Sequence, residues 1–217
     1  MDFIVPNWPA PPNVQARFTL REMGDMAGEG REELDGILLH PPVWLRQVHG
    51  TIVIDADAPP GLPNEPPTGD AAVARKRGVA CAVMAADCMP VFFTDGSVVA
   101  VAHAGWRGLA AGVLEATLQA MKVDRASVIA WLGPAIGPKV YEVGEDVYKA
   151  FAGYESAFTP NRPGHWLLDL YAVAREKLKG LKSVHGGGFC TYTEKERFFS
   201  YRRDKGTERM AALIWLT

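Results

Sequence analysis

The chain has 217 residues, 48% of them hydrophobic, with 23 Lys and Arg against 25 Asp and Glu for a net charge of −2. This is apolar material for an ordinary packed core, expected as one domain over residues 1–217, and the charge balance carries no nucleic-acid footprint. No apolar run reaches the roughly 20 residues needed to cross a bilayer, so no membrane partner is expected.

The N-terminus, Met1-Asp2-Phe3-Ile4-Val5-Pro6, lacks the basic region of a secretory leader. Residues 6–13 are rich in proline and predict a surface run. Strands are expected at 43–48 and 51–55, followed by a proline-rich loop at 58–67 that excludes helix and central strand. A helix is expected at 71–77, then strands at 79–85, 90–94 and 98–103. A second helix at 109–121 carries Leu109, Val113, Leu114, Leu118 and Met121 as a 3.6-period stripe. Strands at 127–132, 184–188 and 211–216 alternate irregularly with helices at 144–152 and 170–179. Such mixing points to an α+β or layered α/β fold rather than a doubly wound one.

Three cysteines, Cys81, Cys88 and Cys190, are an odd number, which argues against a disulfide framework and for a reducing, cytoplasmic setting. Cys88 stands out because of its surroundings. Asp95-Gly96 lies between two apolar runs, the signature of a two-residue hairpin loop. With those two residues as the loop, Thr94 faces Ser97, Phe92 faces Val99 and Cys88 faces His103. Directly opposed residues share a face of the sheet. A thiol beside an imidazole is the start of a metal site, or a nucleophile with its base.

His49 also closes a strand before a glycine; as a third ligand it would complete Cys-His-His with an open fourth position. After His103, the run Ala104-Gly105-Trp106-Arg107-Gly108 opens a helix. Its free N–H groups and the Arg107 fork suit an anion. His40, His165 and His185 have contexts that point to structure or solvent. The run Gly133-Pro134-Ala135-Ile136-Gly137-Pro138 reads as a rigid turn that walls the site.

Several of these stretches resemble one family. Gln47-Val48-His49-Gly50, Ala86-Asp87-Cys88-Met89-Pro90, His103-Ala104-Gly105-Trp106-Arg107-Gly108 and Gly133-Pro134-Ala135-Ile136-Gly137 follow the motif order of YfiH-type laccase-domain proteins. So do Cys190-Thr191, Phe199-Ser200-Tyr201-Arg202-Arg203 and Arg209-Met210-Ala211. The resemblance covers residues 43–217. It implies a layered αββα sandwich related to cysteine hydrolases, with His49, Cys88 and His103 as metal ligands and Gln47 among the substrate contacts. It also implies phosphorolysis of adenosine, inosine and methylthioadenosine, with adenosine deaminase activity and an older description as a copper polyphenol oxidase. Residues 17–40 depart from the family: they are short and lack its Asn-Arg pair, and Thr207-Glu208-Arg209 replaces a Thr-Gly-Arg.

The first functional expectation is therefore a zinc enzyme acting on a purine nucleoside with phosphate, with Arg107 and Arg203 as candidates for holding the phosphate. Deamination instead needs an activated water at C6 of adenine and a proton shuttle, for which Asp87, beside Cys88, is the nearest candidate. Metal-free hydrolysis through Cys88 and His103 is the alternative from another reaction class. A copper-dependent phenol oxidase is a further reading: copper binds such ligands tightly, so copper loading in vitro would give a weak oxidase activity without physiological meaning. A purely structural metal would need a fourth protein ligand, and the sequence offers no clear candidate.

Overall fold

The computed structural model describes residues 3–34, 36–38, 40–60 and 65–217. In chain order the elements are β1 (Phe3–Ile4), β2 (Val14–Thr19), β3 (Val53–Asp55), β4 (Ala71–Ala74), β5 (Ala80–Ala85), β6 (Met89–Thr94) and β7 (Val99–Ala104). Then come α1 (Trp106–Ala111), α2 (Val113–Met121), β8 (Ile129–Leu132), β9 (Glu142–Gly144), α3 (Glu145–Ala150), β10 (Phe158–Arg162) and β11 (His165–Leu168). The last are α4 (Leu170–Lys177), β12 (Ser183–Gly186), α5 (Tyr201–Asp204) and β13 (Met210–Leu216). A six-stranded mixed sheet has the order β12-β8-β6-β7-β4-β3, with the two outer pairs parallel. A four-stranded antiparallel sheet has the order β1-β2-β13-β5, and a small third sheet has the order β10-β11-β9.

Strand periodicity builds the layers, because successive side chains point to opposite faces. Val91, Phe93, Ala100 and Ala102 face a core shared with α1, α2 and α4. Their neighbours Phe92, Val99 and Val101 face the other way, onto Cys81, Val83, Ala212 and Ile214 of the second sheet. The outer face of that second sheet, through Ala82, Leu213 and Trp215, is covered by Met23, Met26 and Leu34 from two short 3-10 turns and the link between them. The stacking is thus helices, sheet, sheet and 3-10 turns, a mixed α/β arrangement as the layered reading expected. Strands buried on both faces explain why β6, β7 and β13 are apolar but for Thr94 and His103.

Several local expectations change. Residues 71–74 form β4 rather than a helix. Alanine's helix propensity amounts to only tenths of a kcal/mol, about 0.7 at most, and full burial between β3 and β7 overrides it. The segment 43–48 makes only isolated bridges, Val43 with Cys81 and Arg46 with Thr68. The long helix at 109–121 is two helices, because Gly112 adopts a left-handed φ of 100° between α1 and α2. Strands β1, β2, β9, β10 and β11 lie outside the expected set, being short or polar on their open faces. Of the proline-rich loop 58–67, residues 61–64 lie outside the described residues.

The central hairpin is also re-registered. Thr94 pairs with Val99, and Pro90 pairs with His103, so the loop holds four residues rather than two. The Asp95 carboxylate closes it by accepting from the N–H groups of Ser97 and Val98 at 2.8 and 2.9 Å. Thr94 Oγ1 adds a bond to the Val98 carbonyl at 2.8 Å and accepts from Gly96 N–H. These side-chain bonds stabilise a wider turn than Asp-Gly alone implies. His103 therefore faces Pro90, not Cys88. The slip is two residues, an even number, so side-chain parity is unchanged and the thiol and imidazole still meet.

Candidate metal centre and substrate cavity

A cavity of about 690 Å³ opens beside the end of the central hairpin, lined among others by Gln47, His49, Asp87, Cys88, His103 and Arg107. His49 sits in the loop before β3 with a left-handed φ of 60°. Cys88 directly precedes β6, and His103 lies near the end of β7, only 3% exposed. Cys88 Sγ is 3.8 Å from His49 Nε2, and the ligand atoms of all three residues lie within 4.8 Å of one another. Donor bonds of about 2.3 Å to sulfur and 2.0–2.1 Å to nitrogen in a tetrahedron put donors roughly 3.5 Å apart. The set therefore fits a metal ion with small rotations of the side chains. Gly105 makes this approach feasible: a Cβ there would lie 2.8 Å from Cys88 Sγ and 2.9 Å from His49 Cδ2.

One buried carboxylate organises both histidines. Asp70 is fully buried at the start of β4 and accepts His103 Nδ1–H at 2.9 Å. It also accepts the backbone N–H groups of Val48, His49 and Gly50 at 3.1, 2.8 and 2.7 Å. The first bond fixes the His103 tautomer and leaves Nε2 free as a ligand. The other three hold the His49 loop in its left-handed turn. Burial works against the ionised carboxyl, but the His103 bond and the loop N–H groups outweigh it and hold Asp70 below its ordinary range.

The same balance acts on the thiol. Burial favours the neutral form of Cys88, but the His103 charge and bonds from both histidines bring it down to about 6. His103 moves up to about 9: burial resists the charge, and the Cys88 thiolate and Asp70 overcome that resistance. The site thus favours the thiolate, the form a metal or an electrophile requires. Cys81 is different, fully buried and pushed well above its ordinary value by desolvation.

The other residues singled out from sequence fall into different places. Gln47 lines the cavity, but its amide is engaged with the backbone of β5, accepting from Met84 N–H at 2.7 Å and donating to its carbonyl at 2.8 Å. It anchors the His49 loop like one more rung of a sheet. Asp87 lines the cavity with a φ of 90°, and its two oxygens accept from Thr191 Oγ1 and Arg202 N–H, each at 2.6 Å. Arg107 lines the cavity, is exposed, and lies over the Trp106 ring at 4.4 Å. The helix it opens has only six residues, so the positive field there comes from side chains rather than from a long helix dipole.

Arg203 does not line the cavity. Its guanidinium donates to the carbonyls of Thr191, Tyr192 and Phe198, each at 2.8 Å, and to Asp204. It ties the 191–198 loop to α5, and its neighbour Arg202 takes the cavity position instead. Arg203→Ala should therefore lower unfolding free energy by about 2–3 kcal/mol, the scale for charge-assisted bonds to buried carbonyls. Thermal melts of the variant beside the parent check this.

Sequence reasoning missed Asp70, Tyr141 and the cavity positions of Arg46, Arg202 and Arg209. Asp70 did leave a trace: it is a lone acid at the head of the apolar run 71–74. His165 and His185 bond locally, to the Pro163 carbonyl and Ser183 Oγ. Ile136, from the glycine-proline turn, forms part of the cavity wall.

Comparison with known proteins shows the family of the chain. A family model described as multi-copper polyphenol oxidoreductase laccase matches residues 28–217. A Pseudomonas aeruginosa protein named purine nucleoside phosphorylase is 43% identical, covering 99% of this chain and 98% of its own. The Escherichia coli purine nucleoside phosphorylase YfiH is 42% identical, covering 98% of each. The alignment with the Pseudomonas protein spans 242 positions against 217 residues here, so that relative carries segments this chain lacks. Among solved structures, a Neisseria meningitidis protein superposes with a TM-score of 0.93 at 43% identity, over 100% of this chain and 99% of its own. Geobacillus stearothermophilus YlmD gives 0.84 at 26% identity, over 100% and 96%. The chain belongs to this laccase-type family, whose curated relatives are named purine nucleoside phosphorylases.

Proposed function

We propose that the protein is a zinc-dependent purine nucleoside phosphorylase acting on adenosine, with inosine and methylthioadenosine as related substrates, and that residues 1–217 act as one domain. The observation that carries this is the convergence, in one cavity, of a Cys-His-His set and two arginines that make no ion pair among the described residues, Arg107 and Arg202. His49, Cys88 and His103 would hold the ion, and a bound zinc with an open position supplies Lewis acidity to a substrate oxygen. Phosphorolysis breaks the C1′–N bond of the nucleoside and forms a C1′–O bond to phosphate. Arg107 and Arg202 hold and orient the phosphate through charge-assisted bonds. Tyr141 lines the same wall, and burial pushes its phenol well above the ordinary value, so it stays an O–H donor to charge developing on the reactants.

Phosphorolysis is favoured over deamination by Asp87. Both of its oxygens already accept bonds at 2.6 Å, which suits a residue that positions Arg202 better than a proton shuttle. Adenine and ribose 1-phosphate are the expected products of adenosine and phosphate with zinc-loaded protein. Release of inosine alone, independent of phosphate, would point to deamination. Arg107→Ala should raise the phosphate KM by about tenfold or more, from loss of roughly 1.5–3 kcal/mol of charge-assisted binding, while zinc content stays near that of the parent. Equal loss of zinc and of phosphate affinity would remove Arg107 from this role.

A second reading rests on the chain Cys88–His103–Asp70, which in metal-free protein has the order of a nucleophile, its base and the base's orienting carboxylate. Metal occupancy separates the two readings, because a thiolate held on zinc is not free to attack. Copper competes for the same ligands in vitro. Among the described residues no helix is long and apolar enough to cross a membrane.

A further inference from the structure

The cavity is more cationic than one inorganic phosphate requires. Arg46, Arg107, Arg202 and Arg209 all line it, against a single carboxylate, Asp87, whose oxygens are already engaged. None of the four arginines is ion-paired among the described residues, whereas Arg75, Arg162, Arg197 and Arg203 all are.

The four guanidinium groups are held by different parts of the chain. Arg107 and Arg202 stand near the thiol: Arg107 is two residues past Gly105, which packs against Cys88 Sγ, and the Arg202 backbone N–H is held by Asp87, next to Cys88. The Arg202 guanidinium lies 5.2 Å over the Tyr141 ring and donates to the Glu142 carbonyl. Arg46 and Arg209 flank the end of β5. Gln47, next to Arg46, is bonded to Met84, and Met210, next to Arg209, pairs with Ala85. Ala85 stands three residues from Cys88, a span of at most about 10 Å. Arg46 is braced by Thr68 Oγ1, and Arg209 by the Gly206 and Glu208 carbonyls, so neither loses its charge to a carboxylate. Four guanidinium groups without ion pairs among the described residues, lining one cavity, fit a pair of substrates that together carry two anionic groups.

We infer that the cavity takes a nucleoside bearing its own anionic group, a nucleoside 5′-phosphate, with Arg46 and Arg209 as the subsite for that group. The inference rests on the phosphorolysis reading for its chemistry but not for its binding. In turnover the C1′–N bond breaks and a C1′–O bond forms to inorganic phosphate. The departing base takes the proton of that phosphate, and the sugar leaves as ribose 1,5-bisphosphate.

The test compares adenosine 5′-monophosphate with adenosine as ligands of zinc-loaded protein by calorimetry, without inorganic phosphate, at low and high salt. The monophosphate should bind about tenfold or more tightly at low salt, and the advantage should shrink as salt rises. In the double variant Arg46→Ala, Arg209→Ala the ratio of the two affinities should fall towards one, and lysine at both positions should restore part of it. Equal or weaker binding of the monophosphate by the parent protein would overturn the inference whatever the variants do. An advantage lost in Arg107→Ala but kept in the double variant would also overturn it, by seating the 5′-phosphate at the reacting end. Because binding is read without turnover, its failure is distinct from a failure of phosphorolysis.

Discussion

Cys88→Ala should release the metal while leaving the fold intact. Thiolate is the anionic member of the Cys-His-His set, and its removal leaves two neutral imidazoles and water. A structural zinc site binds with roughly 10–16 kcal/mol shared among its ligands, so loss of one thiolate should weaken affinity on the order of 100- to 1000-fold. The side chain is half-buried at the cavity wall rather than in a core cluster, so thermal stability of the metal-free variant should stay close to that of the metal-free parent. Metal analysis after gel filtration checks the first part, and melts of both apo proteins check the second. A full equivalent of zinc in the variant would remove Cys88 from the ligand set. In the parent protein, zinc should also slow alkylation of this thiol, while fully buried Cys81 stays unreactive in either form.

Asp70 should give the other large effect, and through two separable readouts. In Asp70→Ala the three loop N–H groups and His103 Nδ1–H lose a common acceptor in a fully buried place. Leaving such groups unpaired should cost about 3–5 kcal/mol of stability. Asp70→Asn keeps the volume and one acceptor oxygen, but its amide presents N–H to at least one N–H. Stability should fall less, while zinc affinity drops about 10- to 100-fold because the His103 tautomer and the His49 turn are no longer held. An asparagine variant with parental zinc affinity would show that the carboxylate serves the fold alone.

Much of this site was legible because the chemistry is compressed into short segments. Apolar runs around Asp95-Gly96 announced the hairpin, and face parity carried Cys88 to His103 even though the register slipped by two residues. The slip came from Asp95 and Thr94 side-chain bonds, which a dipeptide turn rule does not weigh. Asp70 was harder to see, because its meaning lies in what it contacts 20 to 33 residues away. Arg202 and Arg203 are adjacent, and sequence does not say which one turns inward. The structure settles it through Asp87, which accepts the Arg202 N–H, while Arg203 is drawn away by three carbonyls and Asp204. The alanines of β4 read as helix because their strand character comes wholly from burial between neighbours.

The central claim, phosphate-dependent cleavage at the Cys-His-His centre, is tested most directly with isotopically labelled inorganic phosphate. Protein reconstituted with one equivalent of zinc is given adenosine and the label, and the products are compared with those from the chelated protein. The account predicts labelled ribose 1-phosphate equal in amount to the adenine released, and almost none of either after zinc removal. Adenine or inosine formed with no label in the sugar product, or an equal yield from chelated protein, would contradict it.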